Sequence, residues 1–148
     1  MGFAELRYAN MKGCRRAMKG GCFCGEIRYE ILGETYHQTV CHCSICRRTT
    51  GAPLVAWFSV SAGDFRFTSG TPARFRSSSK GARTFCPSCG TQLTLRLDDN
   101  GHEVDVTTAS LDDPGLVPPA DHTYFQDRIR WVSLSDSLPT YDHGREKR

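Results

Sequence analysis

The chain has 148 residues, 39% hydrophobic and 24% charged, with eight cysteines and a formal net charge of +3. That length fits one domain with a moderate core, and the composition argues against wholesale disorder. No stretch approaches the ~18 uninterrupted apolar residues of a membrane span, and residues 1–21 lack the apolar run of a secretory signal. Without export, the cysteines are expected in a reducing cytoplasm, where thiols bind metal or do chemistry rather than pair as disulfides.

The charge is unevenly spread. Residues 1–19 hold five basic groups and one acid, the tail 145–148 adds a further +2, and residues 20–144 carry −3. A mildly acidic body argues against a nucleic-acid-binding face, which needs clustered Lys and Arg. The basic ends read as solvated segments. Three segments are therefore expected: an N-terminal extension at 1–18, one folded domain at 19–142, and a basic tail at 143–148. Met18 sits where a compact domain would begin and is a plausible natural start.

In chain order, Ile27, Tyr29 and Ile31 alternate with Arg28 and Glu30, the period-2 pattern of a half-buried strand. Gly33 turns the chain into a second strand at 36–40. The clearest helix signal follows Cys43, through residue 49, with Gly51 and Pro53 to stop it. Residues 54–60 are apolar, β-branched and aromatic, as expected of a central strand. Further strands are expected at 65–67, 73–77, 83–85, 92–97 and 103–108, separated by turn-forming Gly, Pro, Asn and Asp. A short turn is expected at 111–114. The fold class is mainly β, one domain with few short helices.

Seven cysteines fall into three clusters: Cys22-Phe-Cys24, Cys41-His-Cys43-Ser-Ile-Cys46 and Cys86-Pro-Ser-Cys89. Spacings of one or two residues let sulfurs converge on one ion about 2.3 Å away, and zinc accepts such thiolate sets. Gly90 after Cys89, and Gly25 after Cys24, permit the positive φ that turns backbone N–H groups toward sulfur. Cys41, Cys43 and Cys46 share one loop and one ion. Cys22, Cys24, Cys86 and Cys89 then form a closed set of four that pins distant segments together, a structural role. The set of three leaves one coordination position open, as catalytic zinc sites do. His42 is a candidate for that position, but in extended backbone its side chain points away from the flanking ligands. Cys14 has no partner at ligand spacing and reads as a spare thiol.

Taken in order, these motifs resemble the glutathione-dependent formaldehyde-activating enzyme family, which includes centromere protein V. The matching elements are Gly21-Cys-Phe-Cys-Gly25 with Tyr29, Cys41-His-Cys-Ser-Ile-Cys-Arg47, Gly51 before Trp57, and Phe85-Cys-Pro-Ser-Cys-Gly90 with Leu93. Leu111-Asp-Asp-Pro114, Pro119-Ala-Asp-His122, Trp131 and Leu138-Pro-Thr-Tyr141 extend the match. The resemblance implies folded antiparallel sheets of the β-tent type and two zinc ions per chain, one structural and one linked to activity. It also implies carbon–sulfur chemistry that joins glutathione and formaldehyde, or splits such an adduct.

On that basis a small thiol, glutathione or similar, is the expected partner, with no membrane or nucleic-acid role and homo-oligomers compatible. Arg47 and Arg48, directly after the last ligand, and His122 are the expected substrate-binding residues. Lys80 and Arg83 are weaker candidates for offsetting thiolate charge, while His37, His102 and His143 have no supporting context. The alternatives are the same chemistry on another thiol, or a non-catalytic zinc module that binds a macromolecule.

Overall fold

The computed structural model describes residues 17–145. Cys14, most of the expected N-terminal extension and the last three residues lie outside the described residues. The strands are β1 Met18–Gly21, β2 Arg28–Ile31, β3 Thr35–Cys41, β4 Val55–Ser61 and β5 Phe65–Ser69. They continue as β6 Ala73–Arg76, β7 Gly81–Phe85, β8 Gln92–Leu97, β9 Glu103–Thr107 and β10 Asp121–Thr123. One α-helix, α1 Ser44–Thr50, lies between β3 and β4. The mainly β class with few short helices therefore holds.

The strands form two sheets. One is three-stranded and antiparallel, in the order β1-β2-β5; the other is seven-stranded, in the order β10-β3-β4-β9-β8-β7-β6. All pairings in the larger sheet are antiparallel except β10, which runs parallel to β3.

Alternation decides what lies between the sheets. Tyr29 and Ile31 of β2 are buried with Ile27 and Phe65 against Phe58, Val60, Val104, Val106 and Leu93 of the larger sheet. Those residues take one face of β4 and β9, so their neighbours in sequence must take the other, and a register shift beside Leu93 puts Leu95 of β8 on that other face as well. Pairing partners Ser59↔Asp105, Asp105↔Leu95 and Leu95↔Arg83 run in a row across β4, β9, β8 and β7 on that second face. Trp57, one pleat period from Ser59, joins them. The larger sheet is thus core on one face and mixed on the other, where Trp57 and Leu95 stand among Ser59, Asp105 and Arg83.

Two strands escape the alternation argument. Met18, placed by its sequence in the extension, opens β1 and pairs with Ile31. Its strand ends in Gly20-Gly21, which carry little strand propensity of their own. The three residues of β10 are too few to show a period, and parallel pairing with β3 leaves no hairpin signal. At the other end, Arg145 is tied into the fold by an ion pair to Asp121 and a 2.7 Å hydrogen bond from Nη2 to the carbonyl of Gln38.

Gly20 is required by close approach. It pairs with Tyr29, whose hydroxyl shares a 2.7 Å hydrogen bond with Ser110 Oγ. A Cβ at residue 20 would lie 2.3 Å from that hydroxyl and 2.5 Å from the Ser110 carbonyl oxygen. Gly20→Ala is expected to cost about 1–3 kcal/mol of stability through overpacking. Urea denaturation should show a lower midpoint at an unchanged m-value.

Candidate active site

The two cysteine groups come together as the spacing predicts. Cys22, Cys24, Cys86 and Cys89 place their sulfurs within 4.8 Å of one another, and so do Cys41, Cys43 and Cys46. All seven are free thiols. In the set of four, neighbouring sulfurs are 3.5 Å (Cys22–Cys24) and 3.7 Å (Cys24–Cys86) apart, and the Ile27 N–H donates to Cys22 Sγ at 3.2 Å. Gly25 and Gly90 adopt φ of +81° and +77°, so both knuckles turn through a conformation that L side chains rarely adopt. The set joins the β1–β2 turn to the β7–β8 turn.

The set of three is built at a strand-to-helix junction. Cys41 ends β3, Cys43 caps α1, and Cys46 lies in the helix's first turn. Cys43 Sγ accepts the Cys46 N–H at 3.3 Å, doing the work of an N-cap oxygen. The thiols share charge unequally. Hydrogen bonds from Cys41 and then Cys46 hold the Cys43 thiol down at about 2. Contact with Cys43, then Cys46, together with burial, pushes the Cys41 thiol far up. Three converging sulfurs can all become thiolates only if a cation joins them, so both donor sets fit a thiophilic divalent ion.

His42 does not join the three sulfurs. Its ring is fully buried on the opposite side, with Nε2 3.0 Å from His122 Nδ1. His122 Nε2 in turn meets Asp136 Oδ1 at 3.1 Å, and the His42 N–H donates to the Thr123 carbonyl at 3.0 Å. This chain fastens the cysteine loop to β10. Among the described residues, no fourth protein donor completes the set of three.

What lies over that set is a cavity of about 1010 Å³. Its floor is the second face of the larger sheet, with Trp57, Ser59, Asp105 and Arg83, and Tyr124 lies at its edge beyond β10. Cys41, Cys43 and Cys46 all line it, while none of the other four cysteines does.

Comparison with known proteins decides the family. The model of the glutathione-dependent formaldehyde-activating enzyme family matches residues 17–127. The chain belongs to that family. A Halomonas elongata protein that carries the same family's name is 27% identical over 127 residues, spanning 79% of this chain and 80% of that one. A Rhodobacter sphaeroides protein of known crystal structure shares the fold, with a TM-score of 0.53 and 23% identity, over 84% of this chain and 99% of that one.

Within this family member, the structure sorts the expected substrate-binding residues by place. Arg47, Arg48 and His122 do not line the cavity. The Arg47 guanidinium is turned to main-chain oxygens, Nε to His42 at 3.2 Å and Nη2 to Asp127 at 3.4 Å. Arg48 is exposed and His122 is buried behind the cysteine loop. Lys80 is exposed outside the cavity, whereas Arg83, 5% exposed, faces it. Arg83 Nη2 lies 3.5 Å from Cys46 Sγ, its Nε donates to Ser77 Oγ at 2.8 Å, and its Cζ lies 5.5 Å from the Trp57 ring centre. Arg83 Nη1 and Trp57 Nε1 are buried donors without a partner. Such groups cost about 1–3 kcal/mol each when nothing accepts from them.

Asp105 is the cavity group that sequence reading misses entirely. It sits in an ordinary strand alternation, and only the pairing of β4 with β9 shows that its side faces the cavity. Burial pushes its carboxyl up to about 6, against a 2.6 Å hydrogen bond from Ser59 Oγ. Glu103 adds to the rise, while His37 and Arg83 oppose it.

A raised carboxyl makes a signed prediction. Asp105 binds its proton more tightly folded than unfolded, so folding is favoured below about pH 4 and loses that contribution as pH rises toward 6. Asp105→Asn, which keeps an acceptor for Ser59, removes the penalty. Its stability relative to wild type should rise by about 2–3 kcal/mol between pH 4 and pH 7.5, read from denaturation curves of both proteins.

Proposed function

We propose that the chain holds two zinc ions, a structural one on Cys22, Cys24, Cys86 and Cys89 and an active one on Cys41, Cys43 and Cys46. The observation that carries this reading is a three-thiol set, with no fourth donor among the described residues, opening onto a large cavity. When bound there, zinc would keep an incoming thiol ionised and in place. The reaction is addition of a glutathione-like thiol to an aldehyde such as formaldehyde, or its reverse, which makes the enzyme a carbon–sulfur lyase. In the forward direction a sulfur–carbon bond forms, the carbonyl π-bond breaks, and the oxygen takes a proton.

The chain's own residues do the rest. Cys41 and Cys46 are buried and fix the site, while half-buried Cys43 fronts the cavity. Arg83 sets a positive charge beside Cys46 and so offsets the negative charge of a three-thiolate set. Asp105, held by Ser59, can give or take a proton near neutral pH, as proton exchange with an adduct hydroxyl requires. The cavity favours this reading over a non-catalytic zinc module, because a module that grips a macromolecule has no use for a pocket of this size with buried Arg83 and Trp57 in its lining.

The two metal groups should fail differently. Cys43→Ala is expected to retain the fold and one zinc, and to abolish formation of the hydroxymethyl thioether from glutathione and formaldehyde. Cys89→Ala is expected to lose the other ion and unfold the domain, since that ion ties two turns together. Metal analysis by mass spectrometry, circular dichroism and NMR of the adduct check the three parts. A Cys43 variant that keeps two ions and full activity overturns the assignment.

A further inference from the structure

We infer that Arg83 and Trp57 form a carboxylate subsite beside the three-cysteine set, and that the enzyme's substrates are thiols with a carboxylate within a few bonds of sulfur. The inference rests on the proposed thiol chemistry and adds to it the group by which the thiol is chosen.

The guanidinium of Arg83 is held on two of its three nitrogens. Nε is fixed by Ser77 Oγ at 2.8 Å and Nη2 by Cys46 Sγ at 3.5 Å. The third, Nη1, is buried without a partner, and so is the indole Nε1 of Trp57. Each side chain is only 5% exposed, and both line the cavity. Two buried donors, one of them charged, need an electron-rich oxygen. No carboxylate of the protein supplies it: among the described residues Arg83 has no ion pair within 4.0 Å. Asp105 acts on Arg83 only at longer range.

Position then limits the ligand. An oxygen accepting from Nη1 lies no more than about 9 Å from Cys46 Sγ, from the width of a guanidinium and an ordinary N–H···O length. A thiol sulfur gathered beside Cys46 Sγ is therefore close enough to that oxygen for a small thiol to span the two with its carboxylate a few bonds from sulfur. A guanidinium N–H beside an indole N–H suits the two oxygens of one carboxylate. A neutral amide in the same place would leave the guanidinium charge unanswered.

The test compares N-acetylcysteine with N-acetylcysteinamide, which differ only in that carboxylate, by calorimetry on the zinc-loaded protein. Wild type should bind the acid about ten- to a hundredfold more tightly than the amide. Arg83→Gln should weaken both thiols, because it also removes the charge beside Cys46, but should weaken the acid about tenfold or more beyond the amide and so erase the preference; Trp57→Phe, a milder change, should reduce it. Two zinc ions per chain and an unaltered circular dichroism spectrum certify each variant.

Equal binding of acid and amide by wild type overturns the subsite, and so does a preference that survives in both variants. If Arg83→Gln weakens acid and amide by the same factor, so that the preference survives it, Arg83 serves the thiolates alone and the subsite is again wrong. The underlying reading has its own arm. If neither thiol binds better than N-acetylalanine, the thiol does not sit on the cysteine set. In that event N-acetylalanine against N-acetylalaninamide still decides the carboxylate subsite. Equal affinity in that second pair means that only ordered water meets the two donors, which likewise overturns it.

Discussion

Three thiols drawn to one point cannot all carry charge without a counterion, and the site is arranged around that electrostatic constraint. Left to themselves, Cys41, Cys43 and Cys46 concentrate ionisation on Cys43 and suppress it on Cys41. A divalent cation would still leave three thiolates with a net negative charge, buried at the edge of a low-dielectric sheet. The buried Arg83 lies where it offsets that charge, 3.5 Å from Cys46 Sγ. A guanidinium is suited to this position because it is always protonated and can give one nitrogen to sulfur while another remains available.

The larger sheet makes such an arrangement possible because its two faces are unlike. Phe58, Val60, Val104 and Val106 secure it against the smaller sheet. Their sequence neighbours are thereby delivered, already ordered, to the cavity. Functional groups on adjacent paired strands are held more firmly than groups on a loop, since each is fixed by the ladder and by core packing beneath it. The cysteine loop is the one irregular part of the site. It is held by the helix cap at Cys43 on one side and by the His42–His122–Asp136 chain on the other.

Much of this is legible in the sequence alone. The 27–31 alternation, the apolar 54–60 run and the three cysteine clusters specify their own local environments, and the structure contains them with modest changes at the ends. The positive-φ glycines after Cys24 and Cys89 were equally legible, because only a tight turn explains glycine there. What sequence could not show was adjacency between strands. Arg47 and Arg48 follow the last cysteine in the chain, yet α1 turns them away from the cavity. Arg83 lies 37 residues from Cys46 and reaches it because β7 joins the sheet beneath the helix. A strand arginine is ordinarily a solvent-facing residue, so nothing local marked this one as buried. Asp105 was hidden in the same way. His122, expected to bind substrate, is buried away from the cavity, and its contacts with His42 and Asp136 belong to the support of the loop.

The two cysteine groups differ in more than their number of sulfurs. The set of four joins two turns that otherwise meet through exposed hydrogen bonds, Phe23 N–H to Thr91 Oγ1 and Ser88 Oγ to Glu26, so an ion there would be the strongest tie between them. The set of three needs no such help, because β3, α1 and the buried histidines already hold the loop. A metal that is not required to hold its surroundings together is free to have a coordination position given over to a ligand. Under the proposed function, that division would place structural demand on one group and leave the chemistry to the other. It also explains why the cavity meets only the smaller set, although the chain invests more thiols in the larger one.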